Sequence, residues 1–288
     1  MAINDFNDLD KFSEACDPQD AKEPTEPADD RHRLQRLKRS AILQMKLSGV
    51  GSPEVKGAEC IDEYKQAFKL AHDEYVSCGY IQENPEHPYY YSTFSFLPKT
   101  CIFVFKSFHN VIATLTQIFD NNNLGLPMDS LYKKELDVLR NQDREVVELS
   151  AFVTSRQFRM QNIIMYLCKA MFMHSNFHKV DDICVMVNPK HVSFYTKMFL
   201  FEPFGPELFY EKVQAPAVPL RLDMRYIHER LRDKYGTFDK CNDLHAFFCG
   251  RSHPSDRAVS FDLPFKGQET SQEIMQFFRF PQIQALAA

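Results

Sequence analysis

The chain has 288 residues, 44% of them hydrophobic, 25% charged and 13% aromatic, with a formal net charge of −5. That composition fits a globular protein with one large domain and extensions, and the acidic balance speaks against a nucleic-acid binder. Twenty-six Phe and no Trp point to a large apolar core. Eight Cys without a CxxC pair, and no secretory signal, point to free thiols in a reducing cytoplasm.

Residues 1–30 carry ten acidic and two basic side chains with Pro18, Pro24 and Pro27. Such a segment buries too little surface to fold alone and is expected to be a disordered acidic tail. From 31 to 53 the charge reverses. Arg31, Arg33, Arg36, Lys38 and Arg39 surround an apolar stripe of Leu34, Leu37, Ala41, Ile42 and Met45, the pattern of a basic helix that packs on the domain or offers a docking face, followed by a linker.

Residues 54–224 read as the folded domain. A short strand, Glu54 to Glu59, precedes a helix over Ile61 to Tyr80 that Gly79 ends. A hairpin follows, Thr100 to Lys106 and Val111 to Phe119. Next come a helix from Leu131 to Arg140, capped by Asp129-Ser130, and a strand ending at Val153. A basic loop then opens a very apolar helix, Ile163 to Met173, too short to span a bilayer. The run Ile183 to Val187 reads as a strand covered on both faces. Asn188-Pro189 starts a short helix, since proline suits the first helical position. A strand pair closes at Met224, and residues 225–288 read as a helical extension.

Strand alternation puts Val146, Glu148, Ser150 and Phe152 on one face of the strand before Val153. A glutamate therefore stands among apolar neighbours, where burial raises its pKa toward the range useful to a general base. A structural partner such as Arg144 is the plainer reading. Arg156, Arg159 and Lys169 surround the opening of the apolar helix, where guanidinium groups and the helix N-terminus favour a phosphate. Cys241, His245, Cys249 and His253 recur every fourth residue. One straight helix cannot wrap four tetrahedral ligands around a metal, so no metal site is assigned.

The element order and three stretches carry a resemblance. Gly125 to Val153 (GLPMDSLYKKELDVLRNQDREVVELSAFV), Val187 to Gly205 (VNPKHVSFYTKMFLFEPFG) and Val213 to Met224 (VQAPAVPLRLDM) resemble long-chain N-acyl amino acid synthases of the FeeM type. These belong to the GNAT acyltransferase superfamily and are relatives of the acyl-homoserine-lactone synthases. The resemblance implies an α/β (α+β) fold with a mixed, twisted six- to seven-stranded sheet and helices on both faces. It also implies an acyltransferase that moves a fatty acyl group from acyl carrier protein to the amine of an amino acid.

The resemblance assigns roles. Glu148 is the base, Tyr195 the acid that protonates the leaving thiolate, and Asn188 part of the same late motif. Main-chain amides near Phe152 and Val153 meet the oxyanion at a strand bulge. Arg156, Arg159 and Gln161 stand in the phosphate loop, where the superfamily usually has glycines; their replacement favours a carrier-protein arm over coenzyme A. No cofactor is held permanently, and acyl-phosphopantetheine or acyl-CoA is the co-substrate. Membrane attachment is not required. Lactone synthases carry an Arg where this chain has Ala151, which argues against lactone synthesis. Two readings stay open beside this one: an acyl-CoA-dependent N-acyltransferase on another amine, and a catalytically inactive GNAT-fold binding protein. Met165, Met171, Met173, Phe199, Phe201, Phe204 and Phe209 are candidates to line an acyl tunnel, against simple core packing.

Overall fold

The computed structural model describes residues 47, 49–161, 163–236, 243–250, 253–262 and 270–278. The expected acidic tail and most of the basic helix lie outside the described residues.

The sheet runs through β1 (Pro53–Gly57), β2 (Cys101–Ser107), β3 (Asn110–Phe119), β4 (Val146–Thr154), β5 (Asp182–Val187), β6 (Glu202–Pro203), β7 (Leu208–Tyr210), β8 (Ala215–Asp223) and β9 (Ser260–Asp262). Its order is β6-β8-β5-β4-β3-β2-β1-β9, with β7 also on β8. The helices are α1 (Ile61–Ser77), α2 (Asp129–Arg140), α3 (Ile163–Phe177), α4 (Pro189–Met198), α5 (Met224–Tyr235), α6 (Leu244–Cys249) and α7 (Gln272–Phe277). The mixed α/β class expected from sequence is the class observed. Among the described residues the sheet holds nine strands rather than six or seven, because β9 adds to β1 in parallel and β6 and β7 are two- and three-residue strands on β8.

Two apolar layers explain the architecture. Phe103, Phe105, Leu115, Val147, Leu149, Ile183, Val185, Leu220 and Leu222 face α3, α4, α5 and α6. On the opposite face Ile102 and Val104 meet α1 and α7, while Ile118, Val146 and Cys184 meet α2. α3 is further locked to β3 by Gln117, which bonds the Ser175 hydroxyl at 2.7 Å and the His174 ring at 3.0 Å. Among the described residues no helix is long and apolar enough to cross a membrane.

Two features of β4 shape the site. First, β4 and β5 pair in parallel only from Val146↔Asp182 to Leu149↔Val185, although both strands continue. Beyond Leu149 and Val185 the sheet is splayed. Second, the β3–β4 register shifts so that Ala151 and Phe152 together stand opposite Leu115. Ala151 takes φ +47°, a left-handed conformation uncommon for a residue with a Cβ. The bulge reverses the alternation. Phe152 joins Val147 and Leu149 in the α3-side core, while Ala151 and Val153 pack with Tyr75 and Tyr80 on the other side. The expected shared face of Glu148 and Phe152 is thus corrected by one extra residue.

Candidate active site

Glu148 sits where the splay begins. It pairs across the sheet with Ile118 and Cys184 and is 3% exposed. Its Oε2 accepts a 2.8 Å hydrogen bond from the Met128 amide, immediately before α2. The sequence provides that amide by local means. Gly125 takes φ +65°, and a Cβ there would lie 2.2 Å from an Asp129 oxygen. That oxygen accepts from the Leu126 amide at 2.6 Å, and Arg140 clamps Asp129 at 2.7 Å while reaching Asp120 at 2.6 and 2.9 Å. Asp129 therefore braces the turn instead of capping α2; Met128 holds the cap position. Burial raises the Glu148 carboxyl to about 8, partly opposed by the Met128 bond.

Arg144 is not the partner of Glu148. It pairs with the fully buried Asp182 and with Asp223 at 2.9 Å, and Arg221 joins the same pair of carboxylates at 2.6 and 2.9 Å.

A cavity of about 70 Å³ opens beside Glu148 at the splay. Leu149, Ser150, Met186, Val187 and Asn188 form its sheet side, and Ala215, Pro216 and Ala217 of β8 another wall. Tyr132 of α2 ties that wall in place through a 2.7 Å bond to the Ala217 carbonyl. Tyr75, Tyr80, Tyr90 and Tyr210 complete the lining. The Tyr75 and Tyr90 rings stack at 4.4 Å. Burial, with smaller contributions from Tyr210 and Glu148, pushes Tyr90 to about 12, and burial followed by Glu148 raises Tyr210 as well. The Tyr80 hydroxyl is buried without a hydrogen-bond partner among the described residues. A buried carboxyl of raised pKa facing a small polar cavity between splayed strands is fitted to take a proton from a bound amine.

The sequence profile of a known family, the N-acyl amino acid synthase FeeM, matches residues 66–223, more than half of the chain. This chain belongs to the FeeM family of N-acyl amino acid synthases. It is an acyltransferase of the N-acyl type. Among solved structures, FeeM, an N-acyl amino acid synthase from uncultured soil microbes, superposes with a TM-score of 0.55 at 22% identity, covering 62% of this chain and 94% of its own. The CoA-dependent acyl-homoserine lactone synthase BjaI gives 0.49 at 12% identity, covering 73% and 93%. An acyl-CoA N-acyltransferase from Pseudomonas aeruginosa gives 0.39 at 13%, covering 59% and 97%. No curated protein matches the chain.

The site residues expected from sequence scatter more than the sequence suggests. Glu148 and Asn188 both border the cavity, but the Asn188 side chain is occupied as the cap of α4, accepting from the Lys190 amide at 3.2 Å. Tyr195 lies in the core, its ring among Phe194, Phe199 and Phe201, and burial raises its pKa well above the usual phenol value. It does not border the cavity. Phe152 lies in the bulge with Ala151 and Val153 follows it; neither borders the cavity.

At the opening of α3, Arg156 begins a 3-10 turn that ends at Gln161. Arg156 is exposed, and Arg159 pairs with Glu74 of α1. The Gln161 side chain lies outside the described residues. Lys169 is not at that opening: it is buried, bonds Asp256 at 2.6 Å and lies over the Phe247 and Phe261 rings. None of the candidate tunnel residues borders the cavity. Met165, Met171, Phe199 and Phe201 are core, and Phe209 is exposed.

The four cavity tyrosines were missed from sequence. In the sequence Tyr75 belongs to the apolar stripe of α1, and Tyr90 is the middle of the triplet Tyr89-Tyr90-Tyr91. Nothing in either pattern says which residues converge on Glu148.

Proposed function

We propose that this acyltransferase moves a long-chain fatty acyl group from the phosphopantetheine thioester of acyl carrier protein to the amine of an amino acid. One observation carries the reading: the Glu148 carboxyl, buried, raised to about 8, and facing the cavity at the β4–β5 splay. A peptide α-ammonium lies at ~8 and that of a free amino acid higher, so a carboxyl raised from 4.5 to about 8 removes its proton at a far smaller cost than an ordinary carboxylate would. The freed amine nitrogen attacks the thioester carbonyl carbon; the amide C–N bond forms as the C–S bond breaks, the nitrogen sheds its second proton, and Glu148 releases the first to solvent. Main-chain amides at Phe152 and Val153 meet the oxyanion. That second proton protonates the departing thiolate; Tyr195 lies in the core off the cavity and is not placed to donate it directly.

The cavity of about 70 Å³ exceeds the ~10–15 Å³ that one water needs, and takes the acceptor's amine and α-carbon. The acyl chain and pantetheine arm lie outside it, along the splay. The buried Tyr80 hydroxyl donates to an oxygen of the bound acceptor. Carrier protein is favoured as donor because no glycine lies between Arg156 and Gln161, and because the exposed Arg156 suits an acidic partner.

The test incubates purified protein with long-chain acyl carrier protein and the standard amino acids, reading thiol release and N-acyl products by mass spectrometry. The expected result is one family of N-acyl amino acids formed with stoichiometric thiol release. Turnover with acyl-CoA alone would move the donor assignment to coenzyme A, and no product from either donor would overturn the reading.

A further inference from the structure

His245, Cys249 and His253 of the Cys/His series beyond residue 240 do not border the Glu148 cavity. In α6, His245 and Cys249 are one turn apart and so project from one face. α5 packs against α6 and brings a third residue to the same point. The ligand atoms of His228, His245 and Cys249 all lie within 4.8 Å of one another. The two imidazole rings stand 6.4 Å apart, nearly perpendicular at 79°. His228 is exposed and the other two are half-buried, so solvent reaches the cluster. His253 does not join it; its ring packs edge-on against Phe247 at 5.3 Å. Cys241 lies outside the described residues. None of the three clustered residues borders the Glu148 cavity.

We propose that His228, His245 and Cys249 form a binding site for a thiophilic divalent metal ion of the zinc class, which clamps α5 to α6. Two imidazole nitrogens and a thiolate are a borderline-soft donor set, suited to zinc and unsuited to magnesium or calcium. Tetrahedral zinc, with bonds of ~2.0–2.1 Å to nitrogen and ~2.3 Å to sulfur, spaces its ligands about 3.3–3.7 Å apart. Side-chain rotation, easiest at the exposed His228, closes the cluster to that spacing. Binding breaks the Cys249 S–H bond, releases its proton to solvent and forms the sulfur–metal bond. Water fills the fourth position. The clamp joins two helices whose ligands are 17 positions apart in the chain, so the metal stabilises the folded extension by binding it in preference to the open chain.

Cobalt is the probe, because its tetrahedral complexes absorb in the visible and a thiolate ligand adds a charge-transfer band in the near ultraviolet. The full chain, stripped with a chelator, is titrated with cobalt and then with zinc. The expected result is 1:1 saturation with both spectral features, displaced by zinc. Cys249→Ser loses the charge-transfer band, and His228→Gln weakens binding by more than about tenfold. Zinc raises the melting temperature of the parent protein by several degrees but not that of His228→Gln. Since His228 is exposed, its variant keeps the test decisive even if Cys249→Ser misfolds. A charge-transfer band that survives in Cys249→Ser, unchanged affinity in His228→Gln, or no cobalt binding at micromolar concentration would each overturn the site.

Discussion

The Met128 amide donates a 2.8 Å hydrogen bond to Glu148, which is 3% exposed. One neutral donor does not offset the burial of a carboxylate, so Glu148 stays protonated to about 8. Between its ordinary value of 4.5 and about 8 the folded state then holds a proton that the unfolded chain has lost. Stability supplied by that protonated form is complete below 4.5 and declines as pH rises through 8. Glu148→Gln mimics the protonated form, so its melting temperature should fall less than the parent's between pH 5 and pH 8. An equal fall in both proteins, measured by calorimetry, would count against a raised Glu148.

Tyr80 offers a way to separate binding from folding. Its hydroxyl is buried and unsatisfied among the described residues, so Tyr80→Phe removes a desolvation cost and should leave stability equal or higher. If the hydroxyl serves the acceptor, kcat/KM for the amino acid should drop about tenfold, through KM more than kcat. Unfolding curves and steady-state kinetics on the same preparation give both numbers. Lower stability with unchanged kinetics would assign Tyr80 to the scaffold.

Arg156 tests the donor. It is exposed, so Arg156→Glu should not disturb packing. Against an acidic carrier protein the reversed charge should lower kcat/KM by about tenfold at low salt, less at high salt. A small pantetheine thioester should react at the parent rate. Equal loss with both donors would place Arg156 on the thioester arm, away from a docking surface.

Arg144 should be a stability residue. Its removal leaves Asp182, with 0% exposure, held by Arg221 alone. Arg144→Ala should cost about 3 kcal/mol in urea unfolding, as for other broken buried pairs. A cost below about 1 kcal/mol would mean that Arg221 suffices.

What could be read from sequence was what is local. Asn188-Pro189 caps α4 as its spacing promised, and the β2–β3 hairpin and α1 fall where turn residues and periodicity place them. Glu148 was legible because a charge inside an apolar strand is conspicuous. The bulge was not: Ala151 is a poor candidate for positive φ, and its conformation is imposed by the strands beside it. Lys169 was misplaced because its partner, Asp256, lies 87 residues onward. His228 was invisible as a neighbour of His245 for the same reason, since packing of α5 on α6 brings them together.

The pH dependence of kcat/KM for N-acyl amino acid formation tests the role of Glu148 most directly. Activity should rise with pH to a plateau, with an apparent pKa of about 8. Glu148→Gln should lose about a hundred- to ten-thousand-fold of the plateau rate together with that inflection. A Glu148→Gln enzyme that keeps the parent's rate and the same pH profile would contradict the account.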